Sequence, residues 1–158
     1  MLKTILILVP IVLTALALML IVQNSRMPVN LGVSAGRLAP LPATPNAVSS
    51  QTDQKKQQVD PLPFIGDLQQ TKQTLLLAID SYPGKSQVIS ATDTYIHCVF
   101  STPRLRFKDD VEFFLDAGDR LVHFRSASRS GYSDRGMNRK RYEELASLYL
   151  RGNLPAQK

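Results

Sequence analysis

The sequence predicts an α+β fold, in which an N-terminal transmembrane helix precedes a two-layer domain with an antiparallel sheet of about four strands packed on two helices. Three observations predict it: one uncharged apolar run near the N-terminus, four segments of alternating polarity, and two segments with helical spacing that flank them. The chain has 158 residues, about the length of one domain. We therefore divide it into an anchor at 1–26, a Pro-rich arm at 27–60, a globular domain at 61–152 and a tail at 153–158.

The first segment is long and apolar enough to cross a bilayer. Residues 5–22 carry no charge, and at about 1.5 Å per residue they form a helix of ~27 Å, close to the thickness of the hydrocarbon core. The alternative is a cleaved signal peptide with its small-residue site at Ala15-Leu16-Ala17. Because cleavage there would leave an apolar new N-terminus, the sequence favours an uncleaved anchor. Positive charges on its two sides nearly balance, and the short N-terminal tail favours a periplasmic position for the C-terminal domain.

The segment after the anchor is rich in Pro, Ser, Ala, Thr and Gln. Six prolines between residues 23 and 63 interrupt any helical or strand period. The composition therefore predicts an extended, semi-rigid linker that holds the domain away from the membrane.

Two helices flank the strands of the domain. Asp67 and Gln70 have the spacing of a capping box, and apolar residues follow at helical intervals, which predicts a helix over 67–81. Tyr82-Pro83-Gly84 ends it. A second apolar stripe predicts the closing helix over 139–151.

Four strands lie between these helices. Alternating polarity predicts strands at 87–91 and 94–101, and again at 110–116 and 121–126, with a turn at 117–119. Each pair reads as a hairpin. One face of the resulting sheet is apolar and suited to the helices, and the other is charged and would be solvated or covered by the arm.

The stretch 125–141 concentrates hydrogen-bond donors. It holds five Arg and four Ser, and Asn138 is placed to cap the closing helix, whose free N–H groups favour negative charge. We take the following residues of this stretch as candidates for binding an anionic ligand: Arg125, Ser126, Ser128, Arg129, Ser133, Asp134, Asn138 and Arg139.

An internal role competes with ligand binding. Asp109, Asp110 and Glu112 lie on the neighbouring strand, where they could pair with Arg125, Arg129 or Arg139. The sequence favours such an internal ion-pair network over a bound external anion.

The carboxylates of Asp110 and Glu112 are the candidate catalytic groups. Two residues apart on a strand, they point to the same face, where a pair of carboxylates can divide acid and base roles. Only His97 and His123 are available as helpers, on strands that are not adjacent. A structural role in ion pairs is therefore favoured, and Cys98, which alternates with apolar neighbours, is expected to be a buried small hydrophobe.

Composition and motifs exclude several function classes. No zinc-site spacing and no phosphate-binding or nucleophile motif is present, so we expect no metal and no cofactor. Residues 51–158 contain 16 basic and 13 acidic residues, a net charge of +3, and the basic stretch lacks interleaved aromatics beyond Tyr132. Nucleic acid is therefore not an expected partner.

Five stretches of the chain follow a pattern shared with a known family. They are Leu31-Gly32-Val33, Gly36-Arg37-Leu38-Ala39-Pro40, Pro45-Asn46 with 48–51, Asp109-Asp110-Val111-Glu112-Phe113, and 125–134 with the Gly, Asn and Arg residues that follow it. On these residues the chain resembles, over about residues 31–151, the family catalogued as domain of unknown function 1499. The resemblance implies a small domain, often tethered to membranes, without an established activity. It also implies that 31–51 belongs to the domain and packs over the sheet.

The chain departs from that family at two cysteines. Members commonly carry Cys-Pro-x-x-Pro-Asn-Cys, whereas this chain has Leu41-Pro42-Ala43-Thr44-Pro45-Asn46-Ala47. Both cysteines are absent together, as expected when a structural disulfide is lost. Their absence argues against an indispensable role for those thiols. The resemblance adds Asn46, Ser49 and Ser50 to the ligand-binding candidates, because the arm would complete the same polar site.

Two functional hypotheses follow. The favoured one is a membrane-anchored, non-enzymatic module of the cell envelope, held in the membrane by residues 5–22, that binds an anionic group or an envelope protein partner. The alternative is a hydrolase that uses Asp110 and Glu112.

Overall fold

The structure is a computed structural model that describes residues 2–152, so the predicted tail at 153–158 lies outside the described residues. The first helix, α1, covers Leu2–Ser25 and continues through Pro10. Its part from Leu6 to Ser25 has a mean hydropathy of 2.7 and no buried residue. The expectation of an N-terminal helix apolar enough to span a membrane is therefore confirmed.

The domain that follows contains more strands than the sequence pattern predicts. Its elements are β1 (Val33–Ser34), β2 (Arg37–Leu38), β3 (Ala47–Ser49), β4 (Leu62–Pro63), α2 (Leu68–Asp80), β5 (Lys85–Ala91), β6 (Tyr95–Ser101), β7 (Lys108–Asp116), β8 (Leu121–Ser128) and α3 (Met137–Arg151).

The main sheet has six strands, not the predicted four. The strands β5 to β8 lie side by side in chain order and are antiparallel, and they include the two predicted hairpins. In addition, β3 and β4 both pair with the free edge of β8. A separate two-stranded sheet forms from β1 and β2. The prediction that prolines exclude strands from 23–63 is therefore wrong. Strands of two or three residues fit between the prolines because their hydrogen bonds come from a neighbouring strand rather than from local periodicity.

Local signals explain both helices of the domain. In α2, Asp67 accepts a hydrogen bond from the backbone N–H of Gln70, and the Gln70 side chain accepts from that of Asp67, which confirms the capping box. The helix α3 begins two residues before its predicted start. The predicted capping role of Asn138 is wrong, since Gly136 is the N-cap residue and the Asp134 carboxylate accepts from the Asn138 N–H at 2.7 Å.

Alternation divides the sheet into two different faces. One face, here called the helix face, carries the apolar residues of β6, β7 and β8, which share a buried cluster with residues of α2 and α3. The helix α2 contacts mainly α3, and α3 contacts β8 and β3. Cys98 is fully buried in this cluster, as predicted, and burial raises the pKa of its thiol well above the usual range. The opposite face, here called the arm face, carries charged residues.

Candidate functional site

Five residues on the arm face form a buried ion-pair network: His97, Asp110, Glu112, Arg125 and Arg129. Asp110 accepts two hydrogen bonds from the Arg129 guanidinium, from Nε and from an Nη, both at 2.7 Å. It also lies 2.9 Å from His97 Nε2. Burial alone would raise the pKa of the Asp110 carboxyl, but the hydrogen bonds from Arg129 and His97 outweigh it and hold that pKa below its usual value.

Glu112 is the second acid of the network and has no exposed surface. One carboxylate oxygen accepts from an Arg125 Nη at 2.7 Å. The other accepts from the Tyr95 hydroxyl and from the backbone N–H of Gly32, each at 2.7 Å. The arm thus lies over the sheet at Gly32 and closes the network from solvent.

These contacts bear on the catalytic role considered for the two carboxylates. All four of their oxygens accept hydrogen bonds from the protein, and each acid faces its own arginine. Within residues 2–152, no group of three or more His, Cys, Asp or Glu side chains is placed to hold a metal ion. The hydrolase remains a prediction, and no contact of Asp110 or Glu112 favours it.

A second polar cluster lies on the helix face. Arg141 of α3 pairs there with Asp109 and also donates to Asn138 Oδ1 at 2.8 Å. Ser126 donates to the same Asn138 oxygen. The Asn138 amide nitrogen donates to the backbone carbonyl of Asn46 at 2.8 Å, so this cluster connects α3, β8 and the arm.

The predicted anion-binding residues therefore do not form a single site. Arg125 and Arg129 belong to the ion-pair network, whereas Asn46, Ser126, Ser128 and Asn138 join the helix-face cluster. The remaining candidates make local or backbone contacts, as follows: Ser49 with Gln51, Ser50 with Phe124, Ser133 with Arg135, Asp134 with Gly136 and Asn138, and Arg139 with the carbonyls of Lys56 and Gln58.

Of the predicted ion pairs, those of Arg125 and Arg129 with the acidic strand form. The pair expected from Arg139 does not, because that side chain reaches the backbone of the arm, and Arg141 takes its place opposite Asp109.

A small cavity of about 270 Å³ lies between the arm and the ion-pair network. Arg125 and Arg129 line it together with Asp110 and Ser128. Arg125 is 4% exposed, and its Nε is buried without a hydrogen-bond partner. The positive charges beside this cavity are nevertheless matched by Asp110 and Glu112, so little net attraction for an anion is left.

A larger cavity of about 690 Å³, here called the basic cavity, opens at the end of the sheet next to α1. The register places Lys85, Ser101 and Lys108 side by side across β5, β6 and β7. Arg106 and Arg129 complete the basic lining, and none of the thirteen residues that line the cavity is acidic.

The C-terminal end of α1 is attached to the rim of the basic cavity. The Asn24 side chain donates to the carbonyl of Arg106 at 2.9 Å and accepts from the backbone N–H of Lys108 at 2.7 Å. Ser25 and Met27 also line the cavity. The domain thus contacts the end of the apolar helix directly, which differs from the spacer that the Pro-rich composition predicts.

Sequence reasoning missed the basic cavity. Its cations come from β5, from the loop before β7, from β7 itself and from the segment after β8, and no spacing in the chain connects these positions. The available signal was the pairing of the predicted hairpins, since a correct register places Lys85 and Lys108 on either side of Ser101.

Comparison with known proteins gives one match. A family model described as "Protein of unknown function (DUF1499)" matches residues 37–148, which include β2 to β8 and most of α3. Neither a curated protein nor a solved structure matches the chain.

Proposed function

The chain belongs to the DUF1499 family, and from that premise we propose that it is a membrane-anchored, non-enzymatic module of the cell envelope that binds an anionic group in the basic cavity. The single observation that carries the proposal is the charge of the cavity lining. Four cationic side chains, Lys85, Arg106, Lys108 and Arg129, border one space with no acidic residue among its lining.

Charge balance distinguishes this cavity from the rest of the arm face. Arg129 is paired with Asp110, but within the described residues Lys85, Arg106 and Lys108 form no ion pair. Like charges held around one space repel each other, and an anion placed among them relieves that repulsion. The cavity therefore has a net attraction for anions that the ion-pair network lacks.

The lining also offers neutral donors. Ser101 and Thr102 contribute hydroxyl groups and Gln87 an amide, all able to donate to an oxyanion. No His, Cys, Asp or Glu lines the cavity, so the groups that most often act as general acids and bases lie elsewhere. This composition supports binding rather than catalysis.

The membrane part of the proposal depends on α1. Its apolar length supports an anchor, and the proposal places the domain on the periplasmic side. Fusion of alkaline phosphatase to the C-terminus tests this position, since that enzyme is active only after export. Active phosphatase is the expected result. An inactive phosphatase fusion, together with fluorescence from a second fusion that carries a fluorescent protein active in the cytoplasm, would contradict it.

The test of anion binding uses the full chain in an uncharged detergent, with inorganic phosphate and glycerophosphoglycerol as probes. We expect both anions to raise the thermal midpoint, since a ligand that binds only the folded state stabilises it by linkage. The double variant Lys85→Gln/Lys108→Gln should lose this rise. A matched control, Lys55→Gln/Lys140→Gln, removes two exposed lysines that do not line the cavity and should keep it.

Two outcomes would contradict the proposal. One is a midpoint that neither anion moves in the folded wild-type chain. The other is an equal loss of the anion effect in both double variants, which would indicate a response to net charge rather than binding in the basic cavity.

A further inference from the structure

We propose that the anionic group in the basic cavity is the headgroup of an anionic membrane phospholipid, whose acyl chain lies in an apolar groove along α1. This inference rests on the proposed function, because it names the class of ligand for the same cavity. It adds a second part of the binding site, on the anchor helix itself.

The groove is a second cavity of about 570 Å³, formed by α1, by the residues that directly follow it and by Arg129. Leu18, Met19 and Val22 of α1 form its apolar side, and Pro28 lines it from the start of the arm. Its surface is more apolar than that of the basic cavity. Because Leu18, Met19 and Val22 belong to the apolar span, this surface lies at the level of the acyl chains, and a bound phospholipid would place its acyl chain there.

The groove and the basic cavity adjoin each other. Met27 and Arg129 line both of them, so a single ligand can extend from one into the other. Arg26, which directly follows α1, also lines the groove, and its chain neighbours Ser25 and Met27 line the basic cavity. The combined space therefore has the polarity of a phospholipid, with a cationic end and an apolar end.

The depths of the apolar groove and of the basic cavity in a bilayer agree with this assignment. The apolar span Leu6–Ser25 has 20 residues, which reach about 30 Å along the helix axis and match the hydrocarbon core. Val22 then lies within the last turn of the span, and Ser25, which lines the basic cavity, lies at its end. Acyl chains and headgroups occupy these same two levels in the adjacent leaflet.

A soluble anion or an acidic polymer would use only the basic cavity. The experiment therefore compares phosphatidylglycerol with its own water-soluble headgroup, glycerophosphoglycerol, and with phosphatidylcholine. Each is titrated against the full chain in uncharged detergent, and bound ligand is counted by native mass spectrometry. We expect phosphatidylglycerol to bind roughly tenfold or more tightly than its headgroup, because its acyl chain, held beside α1, raises the effective concentration of the headgroup at the basic cavity. Phosphatidylcholine, which carries no net charge, should bind less tightly than phosphatidylglycerol.

Variants separate the two parts of the site. Val22→Trp fills the groove, and it should remove the advantage of phosphatidylglycerol over glycerophosphoglycerol while leaving headgroup binding unchanged. Val12→Trp is its matched control, since Val12 is similarly exposed on the same helix and lines neither cavity. Lys85→Gln/Lys108→Gln should weaken both ligands roughly tenfold, which corresponds to the loss of charge-assisted hydrogen bonds.

The outcomes distinguish failure of this inference from failure of the proposed function. Equal affinities for phosphatidylglycerol and glycerophosphoglycerol, both reduced by the lysine variant, would overturn the lipid assignment and leave anion binding in place. Equal binding of phosphatidylglycerol and phosphatidylcholine would show a response to acyl chains alone and would also overturn it. If no anionic probe bound the folded chain, both proposals would fail.

Discussion

The ion-pair network and the basic cavity lie next to each other on the arm face, and they differ in charge balance. Lys108 of the cavity and Asp110 of the network are two residues apart on β7, and Arg129 belongs to both regions. In the network each acid meets an arginine under the arm, whereas Lys85, Arg106 and Lys108 meet no acid within residues 2–152. Buried charges that are matched hold the arm and strands together, and charges left unmatched at an opening are available to a ligand. Removing a positive charge should therefore lower the free energy of unfolding in the ion-pair network and leave it unchanged or slightly raise it in the basic cavity.

The largest expected effect is on stability, at Arg125. The substitution Arg125→Met leaves Glu112 buried without its cation. It should therefore lower the free energy of unfolding by about 3–5 kcal/mol. Chemical denaturation of the full chain in uncharged detergent measures this loss. Adding Glu112→Gln to the variant should recover part of it, because the amide still accepts from Tyr95 and Gly32 and carries no charge. A loss below about 1 kcal/mol for the single variant would show that the pair is dispensable.

A smaller loss is expected at Asn138, where neutral hydrogen bonds connect the arm to α3. Asn138→Ala removes the bonds to the Asn46 carbonyl and to Arg141, and should cost about 1–3 kcal/mol. Limited proteolysis of the arm should also become faster. Lys140→Ala, on the exposed side of the same helix, is the control and should change neither readout. Unchanged proteolysis in Asn138→Ala would mean that the arm is held by other contacts.

Acid should destabilise the network through Asp110. Its pKa is lower in the folded chain than in the unfolded chain, so its stabilising contribution is complete above the unfolded value of about 4 and is lost as the pH falls through the folded value. Denaturation curves between about pH 2 and pH 6 should show this loss for the wild-type chain and a shallower one for Asp110→Asn. His123, whose pKa is lowered by burial, contributes in a higher pH window that both chains share. If the free energy of unfolding fell equally with pH in the wild type and in Asp110→Asn below about pH 4, Asp110 would not be the source of the acid sensitivity.

The smallest effect on stability is expected at the basic cavity. Lys85→Gln removes one of several neighbouring positive charges, so the free energy of unfolding should stay within about 0.5 kcal/mol of the wild-type value or rise slightly. The same denaturation assay measures it. A loss comparable to that of Arg125→Met would place Lys85 in the structural network and would remove the distinction between the two regions.

The sequence was informative where the structure depends on local patterns. The capping box and the Tyr82-Pro83-Gly84 stop predict α2 to within one residue at each end, and the pattern of polar and apolar residues predicts β5 to β8. The strands β3 and β4 escape such reasoning because two or three residues are too few to show a period. They exist because the edge of β8 offers backbone partners, which is information about the tertiary structure.

The site shows the same division. Alternation along β7 correctly places Asp110 and Glu112 on one face, and the arginines on and after β8 correctly suggest partners for them. Which arginine meets which acid depends on where α3 lies, so the role of Arg141 was not foreseen. The basic cavity required the register of three strands and the position of the end of α1, neither of which can be read from composition.

Consecutive acids on β7 also constrain how this strand can pair. Asp109 and Asp110 point to opposite faces, and each is met by its own arginine, Arg141 on the helix face and Arg129 on the arm face. A slip of β7 by one residue would exchange their faces and bring Glu112 to the apolar face, away from Arg125. A deletion or insertion of a single residue within β7 should therefore abolish folding, whereas the loop before β7 should accept changes of length. The aspartate pair thus favours one alignment of the central hairpin over the alignments shifted by one residue.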